Sequence, residues 1–178
     1  MHGPGALILR PATETDVPAL AALARDSFVA AFGPLYSPGN LALFLDEWRT
    51  EEAYRKALAD PAKRIRLAEI DGELAAYALI VLGEPIDERP EPRPERPVFL
   101  SQLYCAPEMP GRGLGAALME WVLAEARGWG ADAVQLSVFS GNFGAQRFYL
   151  RYGFEHVADI DFWVGDHRDD EFLYELKL

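Results

Sequence analysis

The sequence predicts an α/β fold, a mixed sheet of parallel and antiparallel strands covered by helices. Three observations carry this expectation. The first 60 residues read as a short strand followed by three helices. Asp71-Gly72 then joins two apolar runs, which is a hairpin signal. From position 98 onward strands and helices alternate, as in strand–helix–strand units with parallel pairing.

Residues 6–9 form the first expected strand. Thr15 or Asp16 caps a helix that tolerates Pro18 in its first turn, with Leu20, Leu23, Ser27, Phe28 and Ala31 recurring at helical spacing. Gly33-Pro34 ends it. Ser37-Pro38 opens a second helix carrying Leu41, Phe44, Leu45 and Trp48. Thr50-Glu51-Glu52 opens a third, which stops before Asp60-Pro61. Residues 65–70 and 74–82 are the hairpin strands. Residues 84–97 hold five prolines (85, 90, 92, 94 and 97) among charges and are expected to run as an extended loop. Residues 98–105 are an apolar strand. A glycine turn leads from it into a helix with Leu114, Ala117, Leu118, Trp121 and Val122 on one face, ended by Gly128 and Gly130. Residues 134–138 are a strand and 142–152 a helix closed by Gly153. Residues 154–161 and 171–176 complete the set.

Half of the 178 residues are hydrophobic and 12% are aromatic, enough for one domain over 1–178 with a real core. The formal charge is −11 and no basic stripe is visible, which argues against a nucleic-acid partner. An amine is a permitted partner. Cys105 is the sole cysteine, so no internal disulfide forms and the residue reads as small apolar packing. Met1-His2-Gly3-Pro4-Gly5 lacks the basic start and apolar run of a signal peptide. No apolar stretch approaches the roughly 20 residues that span a bilayer. A cytoplasmic protein with no membrane partner is the expectation. His2, His156 and His167 show no ligand spacing, so no metal is expected.

The most informative stretch is Pro110-Gly111-Arg112-Gly113-Leu114-Gly115. A glycine turn opening a helix presents unpaired N–H groups at the positive end of the helix dipole. Such a turn suits a phosphate. A Rossmann fingerprint needs G-x-G-x-x-G at the first βα unit, whereas G-x-G-x-G stands late here. A P-loop needs Gly-Lys-Ser/Thr, which is absent.

The second element is Leu136-x-Val138-x-x-x-Asn142-x-x-Ala145-x-x-Phe148-Tyr149-x-x-x-Gly153-Phe154. With the glycine turn, it resembles the acetyl-CoA-binding half of the GNAT N-acetyltransferase superfamily over about residues 98–155. Ser27-Phe28, Phe32-Gly33, Ser37-Pro38, Asn40-Leu41, Phe44-Leu45 and Phe162-Trp163-Val164-Gly165-Asp166 are similar to its bacterial spermidine/spermine N-acetyltransferase branch. The resemblance implies a central, mostly antiparallel sheet with one splayed parallel pair, flanked by helices. It implies acetyl transfer from acetyl-CoA to a primary amine by direct attack in a ternary complex, with CoA as product.

The resemblance also assigns residues. Main-chain groups of Leu103, Tyr104 and Cys105 would hold the cofactor arm, with Asn142 bonding it. A strand N–H would polarise the thioester carbonyl, and such a donor contributes roughly 3–4 kcal/mol to barrier lowering. The amides of Gly111, Arg112, Gly113, Leu114, Gly115 and Ala116 would take the pyrophosphate, with the Arg112 side chain as a charged helper. Pro110 stands where relatives carry Gln or Arg, and proline has no N–H to offer. Tyr149 is implied as the acid, since a phenol of pKa about 10 suits a departing thiolate whose thiol is near 8.5. Phe28, Phe32, Tyr36 and Trp163 are candidate walls of the acceptor pocket.

The acceptor must lose a proton. An alkylamine of pKa about 10.4 is only about 0.04% neutral at pH 7, a deficit of roughly 4.6 kcal/mol. Relatives often place a Glu on the central strand; Ser101 stands there, beside Gln102. Tyr104, Glu73 or an acidic residue of the 84–97 loop are the candidate bases. A polyamine such as spermidine or spermine is the first expected acceptor. A peptide N-terminus, lysine or amino-sugar amine is the alternative, and a noncatalytic acyl-CoA-binding domain the rival from another class. The oligomeric state stays open, a homodimer included.

Overall fold

The computed structural model describes residues 6–108 and 113–178. Among them the strands are β1 (Leu7–Pro11), β2 (Lys63–Ile70), β3 (Glu73–Leu82), β4 (Pro97–Cys105), β5 (Ala133–Phe139), β6 (Glu155–Val164) and β7 (His167–Lys177). The α-helices are α1 (Val17–Phe32), α2 (Pro38–Trp48), α3 (Glu51–Ala59), α4 (Leu114–Trp129) and α5 (Phe143–Arg151). The strands form one sheet in the order β1-β2-β3-β4-β5-β7-β6. Every neighbouring pair is antiparallel except β4–β5. None of these helices is long and apolar enough to cross a membrane.

Local signals place the helices. Ser37 Oγ accepts from Asn40 N, Thr50 Oγ1 from Ala53 N and Asn142 Oδ1 from Ala145 N, each at 3.1 Å, which caps α2, α3 and α5. Helix α4 buries Leu114, Leu118, Met119, Val122 and Ala126 against Ala76, Ala78, Ile80, Val134 and Leu136 on one sheet face. Helices α1 and α3 bury Val17, Leu20, Ala24, Tyr54 and Ala57 against Leu67, Tyr77 and Leu79 on the other. Each large apolar side chain so buried contributes about 1.5–3 kcal/mol.

The parallel pairing expected in the second half is the single β4–β5 pair, within the mostly antiparallel sheet that the resemblance implied. Strands β5 and β6 run in the same direction, as α5 between them requires, but β7 inserts between them and pairs antiparallel with both. Strand–helix alternation does not reveal this, because the second strand of a terminal hairpin is free to add on either side of the first. The hairpin is also longer than expected. Its inner ends run to Val164 and from His167, where charged residues interrupt the apolar pattern. Arg168 pairs there with Asp161 and Asp170, both at 2.8 Å, so one cation bridges two carboxylates on the exposed face. At its tip Gly165 has φ +61°, and a Cβ would lie 2.1 Å from Asn40 Oδ1. Only glycine fits, and Asn40 Nδ2 donates to Asp166 Oδ1 at 2.6 Å, which seats the tip on α2.

The paired part of β4–β5 ends at Phe99 opposite Gln135. Just beyond it, Ile80 faces Leu100 and Leu79 faces Gln102, leaving Ser101 as an extra residue in β4. A bulge bends its strand and increases local twist. From here to Cys105, β4 stays paired with β3 but parts from β5. Its β5-side backbone edge is open.

The proline-rich segment crosses the paired end of this V. Arg89 donates to both carboxylate oxygens of Glu175, at 2.8 and 3.1 Å. Asp132 accepts from the amides of Glu95 and Arg96 at 2.8 and 3.0 Å, and the Arg96 guanidinium lies 3.5 Å over the Trp129 ring.

Candidate active site

A cavity of about 680 Å³ fills the gap between the parted strands. Residues 100–105 of β4 and 136–139 of β5 form its sides. Helices α1, α2 and α5 and the β6–β7 hairpin close it. Leu103, Tyr104, Cys105, Asn142, Tyr149, Phe28, Phe32, Tyr36 and Trp163, separated widely in the chain, all line this space.

On the α4–α5 side, Asn142 spends Oδ1 on capping α5 and keeps Nδ2 without a partner among the described residues. Tyr149 projects from α5 into the cavity, packed by Phe148, Phe154 and Tyr174. Its hydroxyl has no hydrogen-bond partner among the described residues. Burial raises its pKa well above the ordinary phenol value, so it stays protonated through neutral pH. Burial also raises the Cys105 thiol, which keeps it from acting as a thiolate nucleophile.

The N-terminus of α4 lies outside the cavity lining. Gly113 is its cap, with φ +72° and nothing within 4 Å of where a Cβ would stand. The first intrahelical bond runs from Ala117 N to Gly113 O, which leaves the amides of Leu114, Gly115 and Ala116 without helical partners. Leu114 buries its side chain in the core, so its amide alone is available. A Cβ at Gly115 would meet Phe148 at an ordinary 3.6 Å. Gly111 and Arg112 of the expected pyrophosphate set, and Pro110 beside them, lie outside the described residues.

On the α1–α2 side, Phe28 is 3% exposed and stacks on Phe44 at 4.4 Å and Tyr36 at 6.1 Å, so it is both core and wall. Trp163 is 57% exposed, at the rim. The Tyr36 hydroxyl donates to Asp169, whose other oxygen lies 3.0 Å from His167 Nε2. Gln102 Oε1 accepts from Tyr54 and Tyr77, both at 2.7 Å.

The cavity also holds Glu171, which sequence reasoning missed. It stands on β7 opposite Phe139 of β5, 9% exposed, with no cationic partner among the described residues. Burial and the neighbouring Asp169 raise its pKa to about 7, against the pull of the Ser137 hydroxyl. One signal was legible. Leu173 is an inward residue, and a period of two then turns Asp169, Glu171 and Glu175 inward as well. Of the expected bases, Glu73 is exposed at the β2–β3 hairpin and no residue of 84–97 lines the cavity. Tyr104 is in the cavity, but burial raises its pKa and leaves it a poor base. Arg49 is a second unexpected liner, 7% exposed.

An open strand edge in a parted parallel pair, beside a helix start whose amides lack helical partners, offers an extended arm a strand to add to and a diphosphate a set of donors. The chain belongs to the GNAT acetyltransferase family, whose model matches residues 23–154. It is 36% identical over 164 residues to an uncharacterised N-acetyltransferase of Mycobacterium tuberculosis, covering 92% of this chain and 99% of that one. It is 27% identical over 93 residues to the spermine/spermidine N(1)-acetyltransferase of Bacillus subtilis, covering 52% and 59%. The PaiA N-acetyltransferase of Thermoplasma acidophilum, solved in complex with coenzyme A, shares the fold with a TM-score of 0.77 at 20% identity, covering 97% and 99%. The protein is an acetyl-CoA-dependent N-acetyltransferase.

Proposed function

We propose that the chain acetylates a small primary amine by direct attack in a ternary complex, with Glu171 as the base and Tyr149 as the acid. The carrying observation is that these two groups enter one cavity from opposite faces of the sheet. Tyr149 comes from the α4 side, and Glu171 lies on the side of Tyr36.

Bound acetyl-CoA supplies an acetyl thioester. The open β4 edge from Leu100 to Cys105 takes up an extended, amide-bearing arm as an added strand, and Asn142 Nδ2 adds a donor to it. A β4 N–H facing the thioester carbonyl stabilises its developing negative charge. The amides of Gly113, Leu114, Gly115 and Ala116 take the diphosphate, and Gly111 and Arg112 belong to the same set by sequence. Glu171 removes the ammonium proton. An ordinary carboxylate lies about 6 pKa units below an alkylamine, and a value of about 7 narrows the gap by roughly 3 kcal/mol. Tyr149 delivers a proton to the departing sulfur and is restored by the second proton that the nitrogen loses as the amide forms, and a neutral Cys105 leaves no covalent detour.

A polyamine is the acceptor that the sequence likeness favours, and the inward carboxylates Asp169 and Glu171 support a cationic one. The test is to incubate the protein with acetyl-CoA and spermidine, lysine, glucosamine and a peptide N-terminus, and to follow thiol release. Turnover on an amine supports the reading. Tight acetyl-CoA binding without turnover on any amine would restore the noncatalytic binding domain.

A further inference from the structure

We infer that Arg49 is an acid-binding residue of the acceptor site, and that the amine acetylated is one that carries a carboxylate. This builds on the amine acetylation proposed above and moves the acceptor away from a polyamine. Arg49 follows the last residue of α2 and lines the cavity on the α1–α2 side. Its guanidinium carbon lies 5.0, 5.5 and 5.9 Å from the ring centres of Phe44, Phe28 and Tyr104. Those rings stabilise the cation by their quadrupoles, and apart from a hydrogen bond with the Tyr104 hydroxyl they leave its N–H groups available. Nη1 donates to the adjacent Trp48 carbonyl at 3.3 Å, and the buried Nε has no partner.

No carboxylate pairs with Arg49 among the described residues, although the chain carries 28 acidic residues against 17 basic ones. Arg89 shows one way burial of an arginine is met, forked onto Glu175, whereas Arg66, whose Nε is also buried without a partner, lies over the Trp121 ring outside the cavity. A desolvated guanidinium without an anion is costly unless a ligand supplies one. The fork of donors matches a carboxylate, and three aromatic walls hold it in place before the ligand arrives.

The opposite charge stands nearby. Tyr104 feels both groups: Arg49 favours its ionised form and Glu171 opposes it. Arg49, Tyr104 and Glu171 all line the one cavity, which therefore presents a cation and a carboxylate together, the complement of a zwitterion. The amine of such an acceptor faces Glu171, its acid faces Arg49, and its methylenes lie on Phe28 and Phe44. The second ammonium of a polyamine would meet Arg49 as a like charge.

The experiment uses the full chain saturated with acetyl-CoA and two matched acceptor pairs, 4-aminobutyrate against butylamine and lysine against cadaverine, with spermidine alongside. In the wild type kcat/KM for the carboxylate member exceeds that for its partner by about tenfold or more. In Arg49→Met this ratio falls toward one, mainly through KM, and Arg49→Lys retains an intermediate ratio because it keeps the charge and loses the fork. If Arg49→Met does not fold, the wild-type ratio and Arg49→Lys still decide. A wild-type ratio near one, a preference for spermidine, or a ratio unchanged in Arg49→Met overturns the assignment. If no amine is acetylated, the proposed function falls, and calorimetry of 4-aminobutyrate on the CoA-bound wild type and Arg49→Met then tests the subsite alone: heat lost in the variant supports it, and equal heat or none sinks it.

Discussion

Two carboxylates four residues apart on one face of β7 show how far surroundings decide a side chain's chemistry. Glu175 sits between Arg89 and Gln135 Nε2, which hold its pKa below the ordinary value. Glu171 has Asp169 for a neighbour and no cationic partner among the described residues, and its pKa rises to about 7. A raised carboxylate makes the folded state hold its proton more tightly than the unfolded chain does. Its stabilising share is complete below about pH 4.5 and is lost as pH rises through about 7. Glu171→Gln is therefore expected to match the wild type's stability near pH 4.5 and exceed it at pH 8, by at most roughly 3 kcal/mol. The same variant should lose on the order of 10²–10³ in kcat and the wild-type fall in rate below about pH 7. Melting curves at two pH values and a pH–rate profile check both, and full activity in the variant would remove Glu171 from the chemistry. Tyr149→Phe should lower kcat on the order of 10²-fold with the CoA dissociation constant nearly unchanged by calorimetry. Tyr149 was legible in the sequence because it stands in a spaced motif beside its own helix cap. Glu171 was legible only as an inward position of β7, because it lies outside that motif and its raised pKa comes from burial contributed by distant elements.

At the scale of elements, the start of α4 has conflicting demands on charge. Three amides without helical partners and the helix dipole favour any anion there, a side chain or a ligand. Ala116 is exposed in this first turn. Ala116→Glu is expected to stabilise the helix by about 0.3–1 kcal/mol and to weaken acetyl-CoA about tenfold or more, since the carboxylate competes with the diphosphate. Melting temperature and calorimetric affinity should move in opposite directions, and the loss of affinity should shrink in salt. Unchanged affinity would place the diphosphate elsewhere. The helices and their caps were readable from local pattern, as at Ser37, Thr50 and Asn142, because a cap needs only three neighbouring residues. The bulge at Ser101 was not readable. An extra residue exists only relative to a partner strand, and the register of β3 against β4 is set by the packing of both faces. The same holds for β7 between β5 and β6. Ser101, where a base was expected, is thus the bulge beside the cavity, and the carboxylate that lines the cavity, Glu171, stands on β7.

Across the whole molecule, the sheet has a fastened end and an open end, and β7 carries a carboxylate at each. At the fastened end Arg89 and Glu175 tie the proline-rich segment to the sheet, with Asp132 holding the two amides that precede β4. The first β4–β5 pairs form here, so this end anchors the V whose other end is the cavity. Removing Arg89 leaves Glu175 buried with a charge that Gln135 alone cannot balance. Arg89→Met is expected to cost about 3–5 kcal/mol of stability at pH 7. Glu175, with its pKa held low by Arg89, contributes stability above about pH 4.5 that is lost as pH falls through its folded value. The penalty of Arg89→Met should therefore shrink on acidification, as the orphaned carboxylate takes up a proton, whereas Glu171→Gln differs from the wild type most at alkaline pH. Because residues 84–97 line no part of the cavity, kcat and KM of Arg89→Met measured well below its melting temperature should equal those of the wild type. A variant that kept its stability but lost acceptor affinity would mean that the loop reaches the site, and the separation of a structural end from a chemical end would not hold.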